Sequence, residues 1–214
     1  MYKMPFVFQK TIFHFIRHRL KMVVYILFVF AICTKASIAL ALTASERADV
    51  LKIQNYLNSF KNISSDFIQT DTENEKSTGK FFISKPGLLK WQYLKPDRIS
   101  ILYKNGTTYY VDHELDQISE YSSPDIFMNL MTANKVNLFK KTHNFKLDKV
   151  LKSGNFIQLF FKYSKGMKDE IYILSFSFKS GIKLETLQLD NGMFIEFKDV
   201  SKNTKIDKDT FNLY

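Results

Sequence analysis

The chain is 214 residues long, 45% hydrophobic and 24% charged, with one cysteine and a formal net charge of +10. That length suffices for one domain with a sizeable core, and a single cysteine excludes an intramolecular disulfide. The basic excess would suggest nucleic acid, but residues 1–41 hold six basic residues and no acid, so residues 42–214 keep 25 basic and 21 acidic residues, a net of +4. No RNP-like aromatic motif, zinc-ligand spacing or arginine-rich stripe accompanies that modest charge, which excludes nucleic acid as the partner.

The first 22 residues carry Lys3, Lys10, Arg17, Arg19 and Lys21 without an acid, and the apolar run MVVYILFVFAICT follows over residues 22–34. Ala39-Leu40-Ala41 then fits an A-x-A cleavage site. The order basic, apolar, small predicts a secretory signal peptide, residues 1–41, cut after Ala41. Its thirteen apolar residues are too few to span a bilayer as a helix. An uncleaved N-terminal anchor is the alternative, because the basic region is long and Lys35 interrupts the exit from the apolar run. Acylation at Cys33 is disfavoured because Ile32 stands where a lipobox needs a small residue. The processed chain, residues 42–214, is expected to be a single domain without cysteine.

Thr43-Ala-Ser-Glu46 has capping-box spacing, and Val50, Ile53, Leu57 and Phe60 recur at helical intervals, so an amphipathic helix is predicted over 43–60. Short β-branched and aromatic segments then alternate with turn signals. Eleven strands are predicted, near 63–70, 78–84, 88–94, 98–104, 107–112, 116–122, 145–152, 155–163, 170–178, 182–190 and 193–200. Asn105-Gly106 and Asn191-Gly192 favour tight two-residue hairpins. No gap is long enough for repeated helical crossovers, so the sheet should be antiparallel, and eleven strands should curl strongly. One short helix interrupts the series: Ser123-Pro124 is a cap, and Ile126, Phe127, Leu130 and Met131 form its apolar stripe.

Between two Lys-Pro turns, Leu89, Trp91 and Tyr93 alternate with Leu88, Lys90, Gln92 and Leu94, which puts the first three on one face of a strand. Residues 42–214 contain 15 Phe, 9 Tyr and the single Trp, and segments such as 156–161 and 171–178 are apolar on both faces. Two short helices can cover only part of so large a curled sheet, which leaves apolar interior for a ligand. An ordinary packed α+β core has the same composition. Catalytic signals are weak: His113 and His143 sit in no metal or triad spacing, and no Ser lies in a G-x-S-x-G context. Asp112, Glu114 and Asp116 alternate like the start of a calcium loop but lack its Gly and its closing Glu, and read as a solvated turn.

Gly79-Lys-Phe-Phe-Ile-Ser-Lys-Pro-Gly-Leu-Leu-Lys-Trp-Gln-Tyr93, followed by Pro96 and Asn105-Gly106-Thr-Thr-Tyr-Tyr-Val-Asp112, resembles the LolA family of periplasmic lipoprotein carriers. The shared pattern is a Gly-led strand, a basic-Pro turn, an aromatic-x-Trp strand, a Pro and an Asp/Asn-Gly hairpin. The first helix, the strand at 63–69 and the closing Asp209-Thr-Phe211 match as well. The resemblance implies an α+β, mainly antiparallel β fold: an unclosed β-half-barrel of about 11 strands with short helices as a lid over an apolar concave face.

It further implies an acyl-chain cavity lined by Ile53, Leu57, Phe82, Leu89, Trp91, Tyr93 and Ile101, and lid closure through Lys85, Ile126, Phe127 and Leu130. The implied partners are acylated lipoproteins, a LolCDE-type ABC transporter of the inner membrane as donor, and a LolB-type acceptor at the outer membrane. The implied protein is a monomeric periplasmic carrier rather than an enzyme, with no cofactor and no metal. Two positions depart from the family pattern: Lys85 replaces an Arg that holds the lid shut, and Leu89 replaces a Phe before the Trp. Lysine keeps charge and donors but loses the planar fork. The alternative is a periplasmic half-barrel that binds another lipid or senses lipoproteins; a secreted hydrolase is a third class.

Overall fold

The computed structural model of the chain describes residues 42–121, 126–142 and 144–213. The predicted leader with its cut after Ala41, Cys33, the Ser123-Pro124 cap and His143 lie outside the described residues, as do the side chains of Ile126 and Lys165.

Helix α1 (Ala44–Asn58) opens with the predicted capping box: the Glu46 amide donates to the Thr43 hydroxyl at 3.2 Å, and the Thr43 amide donates to the Glu46 carboxylate at 2.8 Å. Two orphan amides of the first turn are thereby satisfied. Eleven strands follow: β1 (Asn62–Thr70), β2 (Lys76–Ser84), β3 (Leu88–Lys95), β4 (Ile99–Lys104), β5 (Thr107–Asp112), β6 (Gln117–Tyr121), β7 (Phe145–Ser153), β8 (Phe156–Lys165), β9 (Lys168–Ser177), β10 (Lys183–Leu189) and β11 (Phe194–Lys202). Helix α2 (Ile126–Thr132) lies between β6 and β7, and a 3₁₀ turn (Lys208–Phe211) ends the chain.

All eleven strands form one sheet in the order β6-β5-β4-β3-β2-β1-β11-β10-β9-β8-β7, antiparallel at every junction. Two local meanders are thus joined at a β1–β11 seam. The edge strands β6 and β7 do not pair with each other, so the sheet is an unclosed half-barrel. Asn105 and Gly106 make the expected tight turn, with φ of 50° and 99°, the mirror-image geometry that suits the strand twist. The second Asn-Gly belongs instead to a four-residue link, 190–193, in which Gly192 takes φ of 90°.

Register sorts the apolar residues into two faces. Phe81, Trp91, Ile101 and Tyr110 are successive partners across β2–β5, and Val150, Leu159, Leu174, Leu187 and Ile195 across β7–β11. These rows belong to the inner, helix-covered face. The outer row holds Phe82, Lys90 and Leu102. Phe82, expected among the cavity residues, therefore points away from the lid. Both residues of Phe81-Phe82 are apolar, so parity alone decides between them, and Phe81 at 0% exposure has the inner place. On the outer face the Lys90 ammonium is buried and donates to the Asn212 carbonyl at 3.3 Å, bringing the C-terminal turn onto β3. Burial without a carboxylate holds its pKa below the ordinary lysine range.

Candidate functional site

The inner face is covered by α1, α2 and the segment that runs from α2 to β7. Ile53 and Leu57 of α1, Phe127 and Met131 of α2, and Leu89 and Trp91 of β3 all belong to one buried cluster. Trp91 lies at its centre, with ring centroids 4.2 Å from Phe81, 5.1 Å from Phe67 and 5.7 Å from Phe197. Leu130 packs partly buried against this cluster, as do Tyr93 and Ile101 of the sheet. Gly79 makes room for Phe67: a Cβ there would stand 2.1 Å from the Gln92 carbonyl oxygen and 2.7 Å from the Phe67 ring.

Two polar ties between lid and sheet meet at the β2–β3 turn. Lys85 reaches under α1, donating from Nζ to the Leu57 carbonyl at 2.5 Å and sitting 4.3 Å above the Phe60 ring. That carbonyl belongs to the last turn of the helix, where carbonyls lack intrahelical partners and partial negative charge accumulates. Desolvation pushes the ammonium down to a pKa of about 8. Two residues on, the Gly87 amide donates to the Thr132 carbonyl at the end of α2 at 3.0 Å. One turn thus holds the C-terminal ends of both lid helices. Elsewhere the Tyr103 hydroxyl donates to Asn129 of α2, and the Lys152 ammonium of β7 meets the buried Asp49 carboxylate of α1 at 2.7 Å. The Lys152 hydrogen bond, with Lys52 3.2 Å away, keeps the Asp49 carboxyl below the usual carboxylate range.

A third piece of the lid escaped the sequence reading. After α2, Val136 and Leu138 are buried at 1% and 2% exposure. The Val136 amide donates to Asn58 Oδ1 at 2.8 Å, Asn58 Nδ2 donates to the Val136 carbonyl at 2.9 Å, and the Leu138 amide donates to Gln54 Oε1 at 2.9 Å. This strap is knitted to α1 as an edge is to a sheet. The alternation Val136-Asn-Leu138 was the available signal, but the run is too short to stand out between Asn and Lys residues.

At the end of the inner face away from the Lys85 turn, a cavity of about 220 Å³ opens between Gln69, Tyr93, Ile101 and Tyr110. The Tyr93 hydroxyl donates to Gln69 Oε1 at 2.7 Å, and burial pushes its pKa to about 12, so it stays a neutral donor. This volume is below that of a drug-sized pocket, so a long aliphatic ligand can enter only where lid side chains give way. Ser100 and His113 approach at 2.8 Å, but Ser100 is 1% exposed on the outer face, out of reach of any substrate. Asp112 closes its own turn by accepting the Glu114 and Leu115 amides at 2.9 and 3.0 Å. Among the described residues no group of three metal-ligating side chains comes together.

Residues 58–214 match the profile of the family described as outer membrane lipoprotein carrier protein LolA. An uncharacterized protein of Rickettsia prowazekii is 24% identical over 87% of this chain and 85% of its own length. An outer-membrane lipoprotein carrier protein of Chromobacterium violaceum is 32% identical over 42% of this chain and 46% of that one, so the chain spans about half the length of the named carriers it matches. Among solved structures, the LolA superfamily protein of Nitrosomonas europaea aligns at a TM-score of 0.39 with 8% identity, covering 80% of this chain and 98% of that one. MucB aligns at 0.41 with 9% identity, covering 79% and 63% respectively.

Proposed function

Because the chain belongs to the LolA family, we propose that it is a periplasmic carrier that takes lipoproteins from the inner membrane by their acyl chains and delivers them to the outer membrane. The observation that carries the proposal is the lidded concave face: a continuous apolar surface whose cover is two short helices and a strap, with the C-terminal ends of both helices tied to one turn. Residues 1–41 address the chain for export and are removed after Ala41. The processed protein acts as a monomer, with a LolCDE-type transporter as donor and a LolB-type protein as acceptor.

Loading replaces lid by lipid. A long acyl chain gains roughly 10 kcal/mol on full burial, at about 0.8 kcal/mol per methylene. Lifting Ile53, Leu57, Phe127 and Met131 off the sheet returns about 1.5–3 kcal/mol each, or roughly 6–12 kcal/mol in all. The two quantities nearly cancel, which is what a carrier that must also release its cargo requires. Ile53, Leu57, Leu89, Trp91, Tyr93 and Ile101 form the acyl-chain surface in this reading, and Lys85, Phe127 and Leu130 keep the lid closed.

The test is release of lipoprotein from spheroplasts by purified residues 42–214. The wild type should bring acylated cargo into the supernatant as a soluble complex, and Ile101→Glu, at a partly buried position on the cavity wall, should abolish the complex while the protein stays folded. A folded wild type that releases no lipoprotein refutes the carrier reading and leaves a half-barrel for another lipid, identified by extracting what co-purifies.

A further inference from the structure

Strands β8 and β9 are ten residues each, the longest in the sheet. Their mutual pairing runs out to Lys165↔Lys168, whereas β7 accompanies β8 only to Phe145↔Tyr163 and β10 accompanies β9 only to Leu189↔Tyr172. Past those points one amide bond remains on each side, Ser164 to the Asn144 carbonyl at 2.7 Å and Asp190 to the Ile171 carbonyl at 3.1 Å. Residues 165–170 therefore stand clear of the sheet as a two-stranded ribbon reaching about 10 Å beyond its neighbours, at about 3.4 Å per residue. Gly166, at φ of 64°, and Met167 make the turn at its tip. The Met167 side chain is wholly exposed, more than any other large apolar residue among those described.

Charge is distributed to match. Residues 135–170 hold nine basic and three acidic side chains, and the remainder of 42–214 holds sixteen and eighteen. The whole positive excess of the processed chain therefore lies in the strap and the β7–β9 part. Near the tip the acids are already engaged: Asp169 bonds Lys162 at 2.5 Å and Ser164 at 2.6 Å, and Glu170 accepts the Tyr172 hydroxyl at 3.3 Å. Lys168, the first residue of β9, follows Met167 directly and is itself exposed.

We propose that the β8–β9 ribbon is a membrane-docking finger that seats on an anionic phospholipid surface, with Met167 entering the interface and Lys168 beside it at the headgroups. A single apolar point within diffuse positive charge suits a bilayer interface. A ribbon tip offers far less than the several hundred Å² per partner that a stable protein interface needs. The finger is at the end of the sheet where the Gln69–Tyr110 cavity opens, opposite the Lys85 turn, so docking would bring that mouth towards the lipid. The proposal goes beyond the carrier reading and is tested without cargo.

The experiment is partition of residues 42–214 onto vesicles of phosphatidylcholine with and without phosphatidylglycerol. The wild type should bind the anionic vesicles and not the neutral ones. Met167→Asp and the charge reversal Lys168→Glu should each weaken binding about tenfold or more. In Met167→Trp, anionic vesicles should shift the emission to the blue, a change absent in the wild type, whose single Trp91 is buried. Absence of wild-type binding, equal binding to neutral vesicles, or binding unchanged by Met167→Asp overturns the proposal. Ile101→Glu, unable to load cargo, should still bind vesicles, so failure of the finger and failure of the carrier reading are read separately.

Discussion

Raising the pH should tighten the lid, and Lys85 should be the reason. Its ammonium is half-buried against the Leu57 carbonyl and the Phe60 ring, with a pKa of about 8 in place of 10.5. A base whose folded pKa is depressed binds fewer protons folded than unfolded between those two values, so stability rises with pH across that window. Below pH 8 the closed lid bears the whole cost of holding the charge. At about 1.4 kcal/mol per pH unit the full effect would be near 3 kcal/mol, and partial solvent screening reduces it to about 1–2 kcal/mol. Lys90 is depressed in the same direction, whereas Tyr93, with a pKa of about 12, resists ionisation and opposes the trend only above pH 10. The measurement is therefore a difference: urea unfolding followed by Trp91 emission at pH 8 and pH 10, in wild type and in Lys85→Met. Wild type should gain about 1–2 kcal/mol more than the variant over that interval. Equal slopes in the two proteins, or a wild-type stability that falls towards pH 10, would refute the reasoning.

Other outcomes follow from geometry. Gly79→Ala should fail to accumulate as folded protein, because the new methyl would overlap the Gln92 carbonyl at 2.1 Å, and backbone cannot yield as a flexible side chain does; a normal melting curve would contradict this. Asp49→Ala should destabilise the protein by about 1–3 kcal/mol and raise amide exchange in α1 before it does so in β8 or β9, because Lys152 and Lys52 lose a shared buried carboxylate.

The fold was readable wherever one physical signal dominated. The capping box at Thr43, the alternation through Leu89, Trp91 and Tyr93, and the Asn105-Gly106 turn each act over a few residues, and each reappears in the structure. Phe82 was misplaced because consecutive phenylalanines carry no parity of their own; only the register with Lys90 and Leu102 assigns it outward. The strap went unseen because its burial is supplied by Asn58 and Gln54, about eighty residues earlier in the chain. The ribbon was cut short for a related reason. Its last rungs are Ser, Lys and Asp, residues that resemble a loop until the partner strand is known. Lys85 was legible as a position, but the carbonyl it meets is a tertiary fact.

The β1–β11 seam gives the sheet an order of completion. Strands β1 to β6 and β7 to β11 can each zip from neighbouring hairpins, but the two halves meet in the sheet only when the last strand pairs with the first, Phe67 against Phe197. Contacts so distant in sequence close slowly. A chain emerging from its N-terminus therefore cannot seal the half-barrel until almost its whole length is available. Any truncation ahead of Phe194 leaves two unjoined meanders with their apolar faces open to each other's company or to aggregation.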